Sequence, residues 1–300
     1  MSKILVTGGT VFVSKFVAEY FVEKQYEVYV LNRNSRPQVN GVHLIEGDRH
    51  DPDLDLKKYD FDIVLDITSY NGQDITDLVS KIGKVKTYIF VSSSAVYPEN
   101  LAQPFMENAE LGPNKFWGKY GTDKIDAEKT LLDMQPDAYI LRPPYLYGPG
   151  NNVYREAFVF DCADQDRKFY LPRNGEMKLQ FFHVRDLCKI MEKIIKESPD
   201  EHIYNVGNRD SVSIKEWVDL CYKCAGKTAS YVNVFDDIEQ RMYFSFYDYE
   251  YALDVEKQSK ILPDTISLEE GLKECYEWYK GHEDEVRKKP MIEYIDSNLK

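Results

Sequence analysis

The first fourteen residues constrain this chain more than any other stretch. Lys3-Ile4-Leu5-Val6-Thr7 is a short apolar run, and Gly8-Gly9-Thr10-Val11-Phe12-Val13-Ser14 follows it directly. A helical pattern comes next, with Val13, Phe16, Val17, Tyr20 and Phe21 on one face. Strand, glycine turn and helix, in that order, bring backbone N–H groups and the positive end of a helix dipole to one point, where a dinucleotide pyrophosphate is received. With the strand starting at residue 3, the expectation is a chain without a signal peptide whose cofactor site lies at its N-terminus.

The turn departs from a full GxxGxxG spacing. Gly8 is present, but the next two glycine positions hold Val11 and Ser14. Val11 fits if its side chain points outward. Ser14 adds a Cβ and a hydroxyl where helix and sheet pack closest and where a pyrophosphate approaches. Gly8, Thr10, Val11, Phe12 and Val13 are the candidate cofactor contacts. The competing reading is an ordinary βα turn of an α/β protein.

The net charge of −13 opposes a nucleic-acid partner, which needs a basic face. No apolar run reaches membrane-spanning length, so no membrane partner is expected. Five scattered cysteines, an odd number without framework spacing, read as free thiols of a reducing cytoplasm. Cys221-Tyr-Lys-Cys224 is a lone CxxC with no second pair and no histidine nearby. It reads as two cysteines on adjacent turns of one helix, and no metal is expected.

Apolar strand-like runs recur at Ile4–Val6, Glu27–Leu31, Val42–Ile45, Phe61–Ile67, Thr87–Val91, Ala138–Leu141 and His202–Val206, with helical stretches between them. Near-continuous apolar strands alternating with helices predict an α/β fold, a Rossmann-like doubly wound parallel sheet covered on both faces. Arg142-Pro143-Pro144 and Gly148-Pro149-Gly150 interrupt the pattern. Beyond them Phe158–Phe160, Lys168–Leu171 and Gln180–His183 are short candidate elements. The expected organisation is a dinucleotide-binding domain over 1–152 plus 180–210. A smaller, C-terminal substrate-binding lobe would span 153–179 plus 211–300 and close over the strand ends. The last twenty residues are charged and read as a helix or tail on the outside.

Tyr120-Gly-Thr-Asp-Lys124 is a YxxxK, with the two side chains one helical turn apart on a shared face. An ammonium beside a phenol favours phenolate, so the tyrosine can exchange a proton with a substrate hydroxyl or ketone. With so many tyrosines and lysines, about two such matches arise by chance; the chain holds three, the others being Tyr20/Lys24 and Tyr276/Lys280. Position separates them. Only Tyr120/Lys124 follows a strand that ends in hydroxyls, Val91-Ser92-Ser93-Ser94, at the carboxyl edge where ligands bind open α/β sheets.

Read together, ILVTGGTVFVS, LNR, GDRHD, FVSSSAVY, YGTDK, LRPPYLYGPG, FFHVRDL and NVGN resemble the short-chain dehydrogenase/reductase superfamily. The likeness is to its extended or atypical form, the NAD-dependent epimerase/dehydratase family. It runs over nearly the whole chain. It implies Tyr120 as acid/base, Lys124 as the anchor of the nicotinamide ribose that also lowers the phenol's pKa, and Ser93 as the catalytic hydroxyl, with Ser94 its neighbour. It implies Asp48 against adenine and Pro143 or Pro144 along the nicotinamide. It also implies a homodimer through a four-helix interface that includes the Tyr120 helix.

Departures from the family pattern narrow the chemistry. The Asp-Glu pair that serves dehydratases after the catalytic hydroxyl is here Ser94-Ala95, so epimerisation or simple redox is favoured over elimination. The asparagine that often binds the nucleotide diphosphate is replaced by Tyr145, and the arginine before the FxHVxDL element by the Leu179-Gln180 region. Arg241 remains as a phosphate ligand or a surface charge. At the end of the second strand Asn32-Arg33-Asn34-Ser35-Arg36 has no acid for ribose hydroxyls, so among the NAD(P) cofactors Arg33 and Arg36 favour NADP. The expected function is an NAD(P)-dependent epimerase or oxidoreductase acting on a sugar hydroxyl or ketone, with a small-molecule substrate, nucleotide sugars included. The alternative is a non-catalytic dinucleotide-sensing or binding protein of the same fold.

Overall fold

All seven apolar runs become strands of one sheet. The computed structural model describes residues 2–299. Its first half reads β1 (Lys3–Thr7), α1 (Phe12–Glu23), β2 (Glu27–Asn32), β3 (His43–Glu46), β4 (Ile63–Asp66), α2 (Gly72–Lys81), β5 (Thr87–Val91), α3 (Lys119–Met134) and β6 (Tyr139–Arg142). Then come β7 (Tyr145–Tyr147), α4 (Glu156–Asp164), β8 (Phe169–Pro172), β9 (Lys178–Leu179), β10 (Phe181–His183), α5 (Val184–Glu197) and β11 (Ile203–Asn205). The chain ends with β12 (Val212–Ser213), α6 (Ile214–Cys224), β13 (Tyr231–Val234), α7 (Glu256–Ile261), α8 (Leu268–Tyr279) and α9 (Met291–Asn298).

The main sheet has seven strands in the order β11-β6-β5-β4-β1-β2-β3, paired in parallel throughout. Every residue of β4, β5 and β6 is buried, as both-face coverage requires. Alternate side chains feed two cores. Ile4, Val6, Val28 and Val30 meet α1 and α5. Leu5, Val64, Tyr88 and Phe90 meet α2 and α3. The strand order reverses between β1 and β4, which opens a crevice beyond their carboxyl ends.

The remaining elements build a third, aromatic core in which the Trp217 indole stacks on Phe181 with centroids 5.9 Å apart. Two small pairs lie here, β8 with β13 in parallel and β9 with β12 antiparallel. Phe158–Phe160, read as a separate short element, is the middle of α4, a helix buried from Glu156 to Ala163. Burial on every side removed the helical period from its sequence. Cys221 and Cys224 do share one helix, α6, and all five cysteines are free thiols. Among the described residues no helix is long and apolar enough to cross a membrane.

Helix α3 lies against the strand ends with no room to spare. Gly121 faces the Ala95 backbone carbonyl, and a Cβ there would fall inside its contact distance. Neither the helix nor the carbonyl is a flexible group, so Gly121→Ala is expected to cost about 1–3 kcal/mol. Urea unfolding of both forms measures this. An unchanged midpoint would mean that α3 slides freely on the sheet.

Candidate active site

The glycine turn leaves β1 with Gly8 and Gly9 at φ 90° and 89°, a region open to glycine and costly for other residues. A Cβ on Gly9 would also strike Val30 Cγ1 at 2.5 Å. Sequence reading passed over Gly9. Ser14 turns its hydroxyl back to the Val11 carbonyl at 3.0 Å and sits over Gly8. Helix α1 begins at Phe12 with no side-chain cap and no acidic residue in its first turn. Its first N–H groups therefore keep their capacity for an anion. Phe12 itself is held at φ 35°, a strained value for a non-glycine residue at a ligand-facing turn.

From this turn one cleft of about 450 Å³ runs towards β2 and β3, lined by Gly8, Thr10, Val11, Asn32, Arg33, Arg36 and Asp48 among others. Asn32 is fully engaged: its Nδ2 donates to the Gly8 carbonyl at 2.7 Å, and its Oδ1 accepts from the Asn34 N–H at 2.9 Å. Arg33 and Arg36 project from the exposed rim. Asp48 accepts from the His50 N–H at 3.0 Å. Arg49, part of the GDRHD stretch but given no role from the sequence, lines the same cleft and lies 3.6 Å from the buried carboxylate of Asp66.

A second cleft of about 470 Å³ continues from the turn past Val11, Phe12 and Val13 to Ser93, Tyr120, Lys124, Pro143 and Pro144. The three residues expected to carry the chemistry thus meet in one place. Lys124 is buried, and its ammonium donates to the carbonyls of Ser69 at 2.7 Å and Val91 at 2.9 Å. It also stands over the rings of Phe90 and Tyr70 at 4.6 and 5.2 Å. Burial brings its pKa down to about 8, against the pull of the Asp66, Glu128 and Asp74 carboxylates.

Tyr120 lines the same cleft. Its ring is 40% exposed, while burial of the hydroxyl end pushes the phenol above its ordinary range. Ser93, as hydrogen-bond partner, and the Arg155 guanidinium act in the opposite direction. Two of the three Lys124 donors are committed to backbone carbonyls.

A third cavity, about 300 Å³, opens from Ser93 and Tyr120 towards the aromatic core. Ser94 lines it but donates to the Tyr251 hydroxyl at 3.0 Å. Tyr145 lines it with a buried hydroxyl that has no partner among the described residues. Arg241 borders it, its guanidinium bonded to the Ser245 carbonyl and stacked over Tyr247 at 4.8 Å. Sequence reasoning missed Arg155, Tyr251, Trp117 and Phe246, which complete the walls. No local motif marks them; they converge only in the folded chain.

The other two YxxxK pairs are latches between helices. Tyr20 donates to Glu192 at 2.6 Å. Tyr276 and Lys280 both hold the Asp164 carboxylate, at 2.8 and 2.9 Å.

Lys124 should titrate near pH 8 rather than near the ordinary ~10.4. The unfolded chain keeps that proton longer, so the folded state gains stability as pH rises from 8 towards ~10.4. NMR of ε-labelled lysines, with Lys124→Met for assignment, reads this directly. A Lys124 signal at the ordinary value would refute the burial argument.

Residues 71–207 match the NAD dependent epimerase/dehydratase family. Across 91% of its length the chain is 26% identical to the chloroplast stem-loop binding protein of 41 kDa b of Arabidopsis thaliana, covering 78% of that protein. Across 93% it is 24% identical to a putative UDP-glucose 4-epimerase of Methanocaldococcus jannaschii, covering 99% of it. Its fold is similar to that of a UDP-glucuronic acid 4-epimerase from Bacillus cereus, solved with UDP-glucuronic acid and NAD. That likeness has a TM-score of 0.72 at 18% identity and covers 93% of this chain and 99% of the other.

Proposed function

We propose that this chain, of which residues 71–207 match the NAD dependent epimerase/dehydratase family, is an NAD(P)-dependent epimerase or oxidoreductase of a sugar hydroxyl or ketone. One observation carries the reading: Ser93, Tyr120 and Lys124 converge where the cleft from the glycine turn meets the tyrosine-lined cavity. A dinucleotide fits the first cleft by the uncapped N-terminus of α1 and the two positive-φ glycines. When bound, that cofactor supplies the hydride acceptor and donor.

The chain's own residues handle the proton and the positioning. Tyr120 takes the proton of the sugar hydroxyl as the ketone forms and returns it on reduction. Ser93 holds the same sugar oxygen. Lys124, fixed to the Ser69 and Val91 carbonyls, has a third N–H for the cofactor ribose. Asp48 and Pro143 would border adenine and nicotinamide. The lobe formed by 153–179 and 211–300 would close on the sugar, with Tyr145, Ser94 and Arg241 as its contacts. Ser94-Ala95 after Ser93 offers no acid/base pair for water elimination, so epimerisation or redox is the better fit. The putative UDP-glucose 4-epimerase among the relatives supports a nucleotide sugar. A dimer through α2 and α3, which pack side by side, completes the proposal.

The chloroplast stem-loop binding relative favours a second reading, a non-catalytic binding protein. The net charge of −13 opposes RNA, and a pure binder has no use for a convergent proton-transfer set. Tyr120→Phe decides between them. It should remove nearly all turnover and leave dinucleotide affinity almost unchanged. Retention of more than about a tenth of the rate would remove Tyr120 from the chemistry.

We propose NADP over NAD, although the Bacillus cereus neighbour holds NAD. Asn32 is spent on Gly8 and Asn34, while Arg33 and Arg36 stand free at the rim. A charge-assisted contact to a 2′-phosphate is worth about 1.5–3 kcal/mol, roughly tenfold or more in affinity. Calorimetry should find NADP the tighter ligand. Arg33→Ala should cost NADP affinity alone, and added salt should erode the preference. Equal affinities would return both arginines to a solvated turn.

A further inference from the structure

Among the described residues, Arg155 is the one cation shared by the walls of the cofactor cleft and the tyrosine-lined cavity. It sits at the N-terminus of α4, after the Gly148–Gly150 turn, in a non-helical conformation. Its guanidinium lies 5.4 Å over the Tyr145 ring. Among the described residues the guanidinium makes one hydrogen bond, from Nη1 to the Leu146 carbonyl at 3.3 Å. A guanidinium has five N–H donors, so most of this fork is uncommitted. Among the described residues no carboxylate pairs with it. The adjacent Glu156 is buried, and its carboxylate accepts from Asn151 at 2.8 Å instead.

The surroundings sharpen the point. In a chain of net charge −13, this cavity is lined by two arginines, by serine and tyrosine hydroxyls, and by no acidic residue. Arg241 differs from Arg155, because its outer side faces a neighbouring pocket with Asp236, Asp237, Glu239 and Asp248. The Tyr145 hydroxyl, buried and unpartnered, is an additional donor beneath Arg155. A half-buried arginine fork and an unpaired buried hydroxyl are costly unless something accepts from them.

We propose that Arg155 is a substrate ligand for an anionic group carried on the reacting sugar itself, a carboxylate or a phosphate ester, with the Tyr145 hydroxyl as second donor. The inference rests on the Tyr120 cavity being the sugar site. It makes the substrate a sugar acid or sugar phosphate at the reacting ring, whatever nucleotide is attached. Planar fork geometry suits both anions. Arg155 and Tyr120 line this cavity together, so the anion would be held on the ring that faces the phenol.

The test is calorimetry on dinucleotide-loaded protein with matched probes. UDP-glucuronic acid and UDP-glucose differ by the carboxylate. Glucose 6-phosphate and glucose differ by the phosphate ester. At least one anionic member should bind tenfold or more tighter than its neutral partner, and which pair shows this assigns the anion. Arg155→Gln, measured at saturating dinucleotide, should bring that preference below about twofold, and Arg155→Lys should retain part of it. The proposal falls if the neutral members bind equally well, if the preference survives in Arg155→Gln, or if no anionic probe binds loaded protein. Failure to take up any dinucleotide would instead overturn the parent reading.

Discussion

A buried fork between Arg142 and Glu128 holds the rest of the site in place. Nη2 meets Oε2 at 2.6 Å and Nε meets Oε1 at 3.0 Å, with both side chains only 3% exposed. Arg142 ends β6, and Glu128 lies on α3, on the face it shares with Tyr120 and Lys124 at helical spacing. The remaining polar atoms are satisfied: Ser92 donates to Glu128, and Arg142 donates to the Tyr97 hydroxyl at 2.8 Å. Tyr97 in turn donates to Asn205 at 2.7 Å, which links β11. Such a pair adds little net stability over an apolar replacement, but losing one partner costs about 3–5 kcal/mol. Its consequence is positional. One register of α3 satisfies both charges, and that register puts Tyr120 and Lys124 at the crevice.

The same placement sets where Lys124 reaches. It lies one turn from Glu128 on a face pressed against the sheet, and its ammonium donates to the Ser69 and Val91 carbonyls. There it ties together loops on either side of the crevice. A second buried hub, Asp66, accepts from Thr7 at 2.8 Å, Ser69 at 2.6 Å and Tyr88 at 2.8 Å. It ties β1, β4 and β5 beneath the switch point.

How much was legible in the sequence follows from these facts. The seven parallel strands were readable because coverage on both faces leaves contiguous apolar text, as in Thr87–Val91. That Ser93, Tyr120 and Lys124 would meet was expected from a YxxxK following a strand that ends in hydroxyls, and one cleft is lined by all three. Helix α4 lost its period to all-round burial. The Lys124 hydrogen bonds to Ser69 and Val91 were not readable, because spacing shows that two side chains share a face, not where their donors go. The cavity walls were illegible: Ser93, Tyr145, Arg155, Arg241 and Tyr251 come from separate stretches, and only the fold brings them together.

The altered glycine turn fits the same logic. Where the family pattern has small residues, this chain has Val11 and Ser14, and Phe12 takes the strained φ of 35°. Gly150 approaches that strained residue, since a Cβ on it would stand 3.9 Å from Phe12 Cα. The loop that leads to Arg155 therefore rests on the turn that would seat a dinucleotide. The glycine-turn cleft and the tyrosine-lined cavity share one wall. The strain at Phe12 and the unpaired fork at Arg155 lie on its two sides, so the chain departs from local backbone and pairing rules where the two clefts join.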